Sequence, residues 1–139
     1  SFVSRGLGDV YKRQGLENNI SSLINFFKEI KNFEKIFAED VASFEVLNEN
    51  TFRIKIGSFP NISLIHKRTT RDSFSLKSRS DNFDFEILIN LSEINKTTTK
   101  CQIIFSGNFS AMIEMMAKKP LENFLNNITR KIEGLELSN

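Results

Sequence analysis

The stretch FDFEILINLSEINKTTTKCQIIFSGNFSAMIEMMAKKPLENFLNNITRKIE, residues 83–133, changes its hydrophobic period once, and that change decides the fold. Phe83, Phe85, Ile87, Ile89 and Leu91 take one side while Asp84, Glu86, Asn90 and Ser92 mostly take the other, the period-two signature of a strand with one buried and one wet face. After a polar turn from Glu93 to Lys96, the residues Cys101, Ile103, Phe105 and Gly107 resume the alternation beside Lys100, Gln102 and Ser106. The second run is therefore the antiparallel partner of the first. Asn108 and Ser110 supply stop and cap signals, and Met112, Ile113, Met116, Leu121, Phe124, Leu125, Ile128 and Ile132 then recur at helical spacing. Pro120 falls inside this long helix and is expected to kink it or divide it at Lys119, because proline has no N–H to donate and disfavours helix in the residue before it.

Upstream, NISLIHKR (61–68) and SFSLKSR (73–79) read as two strands separated by the polar turn Thr69 to Asp72. Phe44 and Val46, a turn at 48–50, and Phe52, Ile54 and Ile56 give a further strand, reversal and strand. Before them, Ile20, Leu23, Ile24, Phe27 and Ile30 are spaced as an amphipathic helix capped by Asn19 or Ser21, and Phe33, Ile36 and Phe37 form a second helical turn. The order is two short helices, about six antiparallel strands and one long C-terminal helix. A curved antiparallel sheet needs cover for its apolar concave face, and only the terminal helix is long enough to give it. The expected fold is an α+β helix-grip.

The 139 residues, 40% hydrophobic and 26% charged, suit one domain with a single core. No run approaches the roughly 18 to 20 apolar residues of a membrane span, so no stable membrane insertion is expected. One cysteine, Cys101, excludes an internal disulfide and a thiolate zinc site. Fourteen phenylalanines with no tryptophan are the compositional oddity, and they mark the chain as rich in core material.

The segments INFFKEIKNFEKIFAEDV (24–41), FDFEILINL (83–91) and MIEMMAKKPLENFLNNI (112–128) resemble the SRPBCC superfamily, also called START-like or Bet v 1-like, and within it small uncharacterised bacterial members of the Bacteroidetes type. The likeness covers roughly residues 19–134 and rests on hydrophobic pattern and the Lys-Lys-Pro-Leu step, not on a catalytic motif. It implies a strand, two helices, six strands and a long helix over a cavity.

The family's first strand should directly precede the helix at Ile20. In its place residues 3–14 resemble the translation of a sequencing-library adapter, so residues 1–14 are read as a non-native scar and 15–139 as the single domain. On this reading the sheet has an open edge beside the strand around Cys101 to Gly107, unless the scar pairs there. The alternative is a genuine basic N-terminal arm. Without residues 1–14, which hold three of the 19 basic and one of the 17 acidic residues, 16 of each remain. A neutral body lacks the basic footprint of a nucleic-acid binder, and none is expected as a partner. The expected location is the cytoplasm; with the native N-terminus missing, any signal peptide would have been lost with it.

No catalytic constellation, metal-ligand cluster or cofactor motif is visible. His66 is the sole histidine and cannot build a multi-histidine site. Cys101 alternates with Ile103 and Phe105 and should behave as a buried small hydrophobe. Asp84 and Glu86 share a strand face with Asn90 and Ser92, a solvated outer surface. The remaining glycines are too far apart for a phosphate loop. What is left is the cavity that the resemblance implies. Its expected lining is Phe83, Phe85, Ile87, Ile103, Phe105, Met112, Met115, Met116 and Phe124, with Arg53, His66 or Arg79 as polar anchors; a solid core is the competing reading. The expected function is binding of an apolar small molecule or lipid. The alternatives are an enzyme of the polyketide-cyclase or dehydratase kind, and a protein-interaction module like the chaperone cofactors of that superfamily, with a filled interior and an exposed apolar patch.

Overall fold

Alternation along the two longest strands of the body sets the frame. A computed structural model of the chain describes residues 2–11, 19–57, 61–79, 84–95 and 98–135. In chain order the elements are β1 (Phe2–Tyr11), α1 (Asn19–Lys28), a 3-10 turn (Ile30–Asn32), α2 (Phe33–Phe37), β2 (Ser43–Asn48), β3 (Thr51–Lys55), β4 (Ile62–Thr69), β5 (Ser73–Ser78), β6 (Asp84–Glu93), β7 (Thr98–Asn108) and α3 (Ala111–Glu133). The strands form one antiparallel sheet in the order β1-β7-β6-β5-β4-β3-β2.

In β6 the residues Phe85, Ile87, Ile89 and Leu91 are buried, and across the hairpin Ile87 faces Phe105, Ile89 faces Ile103 and Leu91 faces Cys101. At these three pairs apolar residue meets apolar residue, which is what holds the register: a slip by one residue would turn them to water. The rows continue into β5, where Phe74 pairs with Ile89 and Leu76 with Ile87. On the outer face Lys67 of β4 reaches across to Glu86 of β6, Nζ to Oε1 2.6 Å.

The phenylalanines close one part of the grip. Phe33 stands at its centre, 5.4 Å from the Phe52 ring and nearly parallel to it, with Phe27, Phe37 and Phe74 at 5.8, 5.5 and 5.7 Å. Phe37 in turn meets Phe124 of α3 at 5.2 Å. The short helices therefore wedge between the sheet and the long helix. Asn127 pins the same junction, its Nδ2 donating to Asp40 Oδ1 at 2.6 Å.

Helix α3 is a single helix of 23 residues with Pro120 inside it, not a divided one. Pro120 lies on the exposed side, where water can take the place of the donor missing from the Met116 carbonyl, so the sequence continues the helix through it. Ser110 caps it, the Oγ accepting from the Ile113 N–H at 3.3 Å. Its buried stripe is Ala117, Leu121, Phe124, Leu125, Ile128, Thr129 and Ile132.

Residues 2–11, set aside in the sequence reading, run antiparallel to β7 from Phe2 opposite Gly107 to Tyr11 opposite Thr98. The β7 edge is therefore paired over nearly its whole length. The far edge is β2, which is mostly exposed and carries a register shift between Val46 and Asn48. Such an irregularity discourages a further strand from pairing there.

Candidate functional site

Where α3 crosses the sheet beyond the phenylalanine cluster, the packing leaves a cavity of about 20 Å³. The strands β3 and β4 contribute Ile54, Ile62 and Leu64, with Ile56 just past the end of β3. The hairpin β6–β7 contributes Phe85, Ile87 and Phe105, and α3 contributes Ala117, Leu121 and Phe124. Phe109, in the connection from β7 to α3, completes the wall. Among the described residues every lining side chain is apolar, so none of them offers a hydrogen bond to an occupant.

Four of the nine expected lining residues are in this wall: Phe85, Ile87, Phe105 and Phe124. Ile103 is fully buried but sits deeper in the core, opposite Ile89. Phe83 lies outside the described residues. The three methionines are elsewhere: Met112, Met115 and Met116 are 67%, 79% and 68% exposed. The physical cause is helical phase. Leu121, Phe124, Leu125, Ile128 and Ile132 fix the buried side of α3, and projecting that side back at 100° per residue puts these methionines on its opposite face. The first six residues of α3 contribute none of its buried side chains.

The expected polar anchors do not reach the cavity. His66 is on the inward side of β4, two residues beyond Leu64, but it stacks on Phe74 at 4.8 Å and its Nε2 shares a 2.6 Å hydrogen bond with Thr69 Oγ1. Arg53 alternates with the buried Phe52 and Ile54 and so belongs to the outer face. Arg79 is exposed just after β5, where its N–H donates to the Ser63 carbonyl at 2.8 Å. Cys101 is fully buried, and burial, assisted by the negative charge of Glu133, pushes its thiol up from 9.0 to about 12. A thiol so held is not a nucleophile near neutral pH.

Sequence reading missed Ile54, Ile56, Ile62, Leu64, Phe109, Ala117 and Leu121 as wall residues. Ile54, Ile62, Leu64 and Leu121 had a signal, since each falls on an apolar face. Which part of that face borders the cavity depends on where α3 crosses, and no local pattern carries that. Phe109 gave no signal, being a single aromatic in a connection.

No family model matches the chain, and no curated protein is similar to it in sequence. Solved structures are similar in fold. A conserved protein from Geobacillus kaustophilus has a TM-score of 0.61 at 12% identity, covering 94% of this chain and 95% of that one. A START superfamily protein from Mycobacterium smegmatis has a TM-score of 0.67 at 10% identity, covering 95% and 94%. Norcoclaurine synthase from Thalictrum flavum, in complex with dopamine and hydroxybenzaldehyde, has a TM-score of 0.67 at 9% identity, covering 93% and 84%. At such identities the likeness is one of architecture: this chain has the helix-grip fold of the SRPBCC, START-like or Bet v 1-like type.

Proposed function

We propose that the protein binds an apolar small molecule or a lipid chain between α3 and the concave face of the sheet. The observation that supports this best is the all-apolar wall itself, located under the long helix of a fold that in one neighbour holds dopamine and hydroxybenzaldehyde. At about 20 Å³ the space is no larger than about one water molecule needs, so a ligand must displace part of the wall as it binds. Among the described residues no polar side chain lines the wall to do proton transfer, which favours binding over cyclase or dehydratase chemistry.

The test is titration with a fluorescent apolar probe, N-phenyl-1-naphthylamine, against the protein and an Ala117→Trp variant that fills the space from the helix side. Saturable binding to the parent and its loss in the variant support the reading; equal binding to both contradicts it. A second reading has its own observation. The interior is almost filled while Met112, Met115 and Met116 form an exposed apolar surface at the start of α3, the combination expected of a protein-interaction module. That reading predicts that replacing the three methionines by glutamine abolishes partner capture and leaves probe binding unchanged.

A further inference from the structure

The chain has three methionines, Met112, Met115 and Met116, and all of them fall at the start of α3. At 100° per residue they lie within an arc of about 100° of the helix surface, on the side away from its buried stripe. Steps of three and four residues make them neighbours, with Cβ atoms about 5–6 Å apart. They are 67%, 79% and 68% exposed, so three thioethers project into water from one face and take no part in the core. Methionine is among the residues most often buried, and here none is. What sets this surface apart from the other exposed large hydrophobics, Val46, Leu47 and Ile94, is that each of its side chains carries a donor atom.

A thioether is a soft, neutral donor. Hard cations such as Mg(II) and Ca(II) take oxygen ligands, and zinc sites are built from thiolate, imidazole and carboxylate. The cation that thioethers hold is soft, monovalent Cu(I), with Ag(I) as its larger analogue. Three neutral sulfurs offset none of the ion's charge, which favours a charge of one. Lys119, exposed one turn further along the same face, favours it as well. It repels a divalent ion twice as strongly as a monovalent one, and at an exposed position water and salt screen the smaller repulsion. Among the described residues no three of His, Cys, Asp and Glu gather to hold a metal, so no harder site competes there. Cys101, the one thiol, is fully buried and keeps its proton. The accessible sulfur of this protein is therefore the methionine face.

We propose that Met112, Met115 and Met116 form a three-thioether site for a soft monovalent cation, Cu(I) or its redox-inert analogue Ag(I). The ion binds by coordination alone: each sulfur donates a lone pair, no proton is released and no electron is transferred. Affinity is therefore flat across the pH range in which imidazole ligands lose metal to protons. The helix fixes the three backbone positions, since Ser110 caps it and its packing on the sheet begins at Ala117. The site stands apart from the cavity and needs nothing from the apolar-ligand reading. It also differs from an apolar docking surface, because it requires sulfur and not merely apolar area.

The experiment is calorimetric titration of the full chain with silver nitrate in chloride-free buffer, on both sides of the imidazole range, at about pH 5 and about pH 8. Three variants accompany it. Met112→Leu, Met115→Leu and Met116→Leu combined keep the apolar surface, the volume and the helix propensity but remove the sulfurs. The same three positions changed to glutamine give a polar counterpart in case the leucine variant self-associates. Cys101→Ala removes the thiol and leaves the methionines. The proposal expects one Ag(I) per chain for the parent and for Cys101→Ala, with equal affinity at both pH values. It expects affinity lower by at least about tenfold in both triple variants, since even groups that only support a metal ligand are worth that much. Binding by the leucine variant equal to that of the parent would overturn the site. So would the absence of saturable Ag(I) binding by the parent, or binding that is lost in a folded Cys101→Ala protein.

Discussion

At the scale of single residues, the phenylalanine cluster and the buried thiol carry the sharpest consequences. Phe33 is 2% exposed and contacts four other rings, so Phe33→Ala leaves a cavity that its aromatic neighbours cannot fill. The expected loss is about 3–5 kcal/mol, read as a lower urea midpoint at unchanged m-value. A loss under about 1 kcal/mol would mean that the cluster is loosely packed. Cys101 makes a pH prediction whose sign follows from its pKa. The unfolded thiol ionises near 9.0 and the folded one near 12, so below pH 9 both states hold the proton and stability is flat in this group. Between the two values only the folded state holds it, and stability falls by about 1.4 kcal/mol per pH unit from this residue. Cys101→Ala should remove that alkaline slope, although it costs some packing at every pH. An unaltered slope in the variant would show that other groups cause the decline.

At the scale of elements, the β6–β7 hairpin was legible because burial on one side forces a period of two, and both strands keep it along their length. The same logic misled at the start of α3. Methionine is apolar, and Met112 and Met116 stand four residues apart beside Ile113, a local helical repeat that is out of phase with the stripe further along the helix. The true phase is set from Ala117 onward, and the methionines face away from the sheet. Pro120 was also over-read as a break. An exposed proline removes one backbone hydrogen bond, and packing of the helix on both sides of it outweighs that loss. Pro120→Ala should therefore restore a bond without disturbing a contact, and raise stability by about 1–3 kcal/mol in thermal or urea unfolding. A destabilised variant would mean that the proline ring itself supports the packing.

At the scale of the whole molecule, the six strands from β2 to β7 and the helices follow from residues 19–135, while β1 is supplied by residues 2–11. Residues 2–11 can occupy that position whatever their side chains, because strand pairing is made by backbone groups, which tolerate many sequences. Without it, β7 from Thr98 to Asn108 would be an open edge beside a phenylalanine-rich core. Deleting residues 1–14 is expected to lower the unfolding midpoint and produce concentration-dependent self-association in light scattering. A monomer of unchanged stability would show that the β1 pairing contributes nothing. The cavity belongs to this scale as well. Its described wall comes from four strands, the residues that follow β3 and β7, and one helix, brought together by register and by the crossing of α3. Sequence pattern gave the apolar faces but not their intersection, which is why only part of the lining could be named in advance.

The central claim is that this intersection holds an apolar ligand, and native mass spectrometry of the full chain purified from the expressing cell, followed by organic extraction, tests it most directly. The account predicts an added mass at near-stoichiometric occupancy that is released into the organic phase as an apolar molecule. A clean apo mass, with no thermal shift across a panel of fatty acids, isoprenoids and polycyclic aromatics, would contradict it and leave the exposed methionine face of α3 as the feature to pursue.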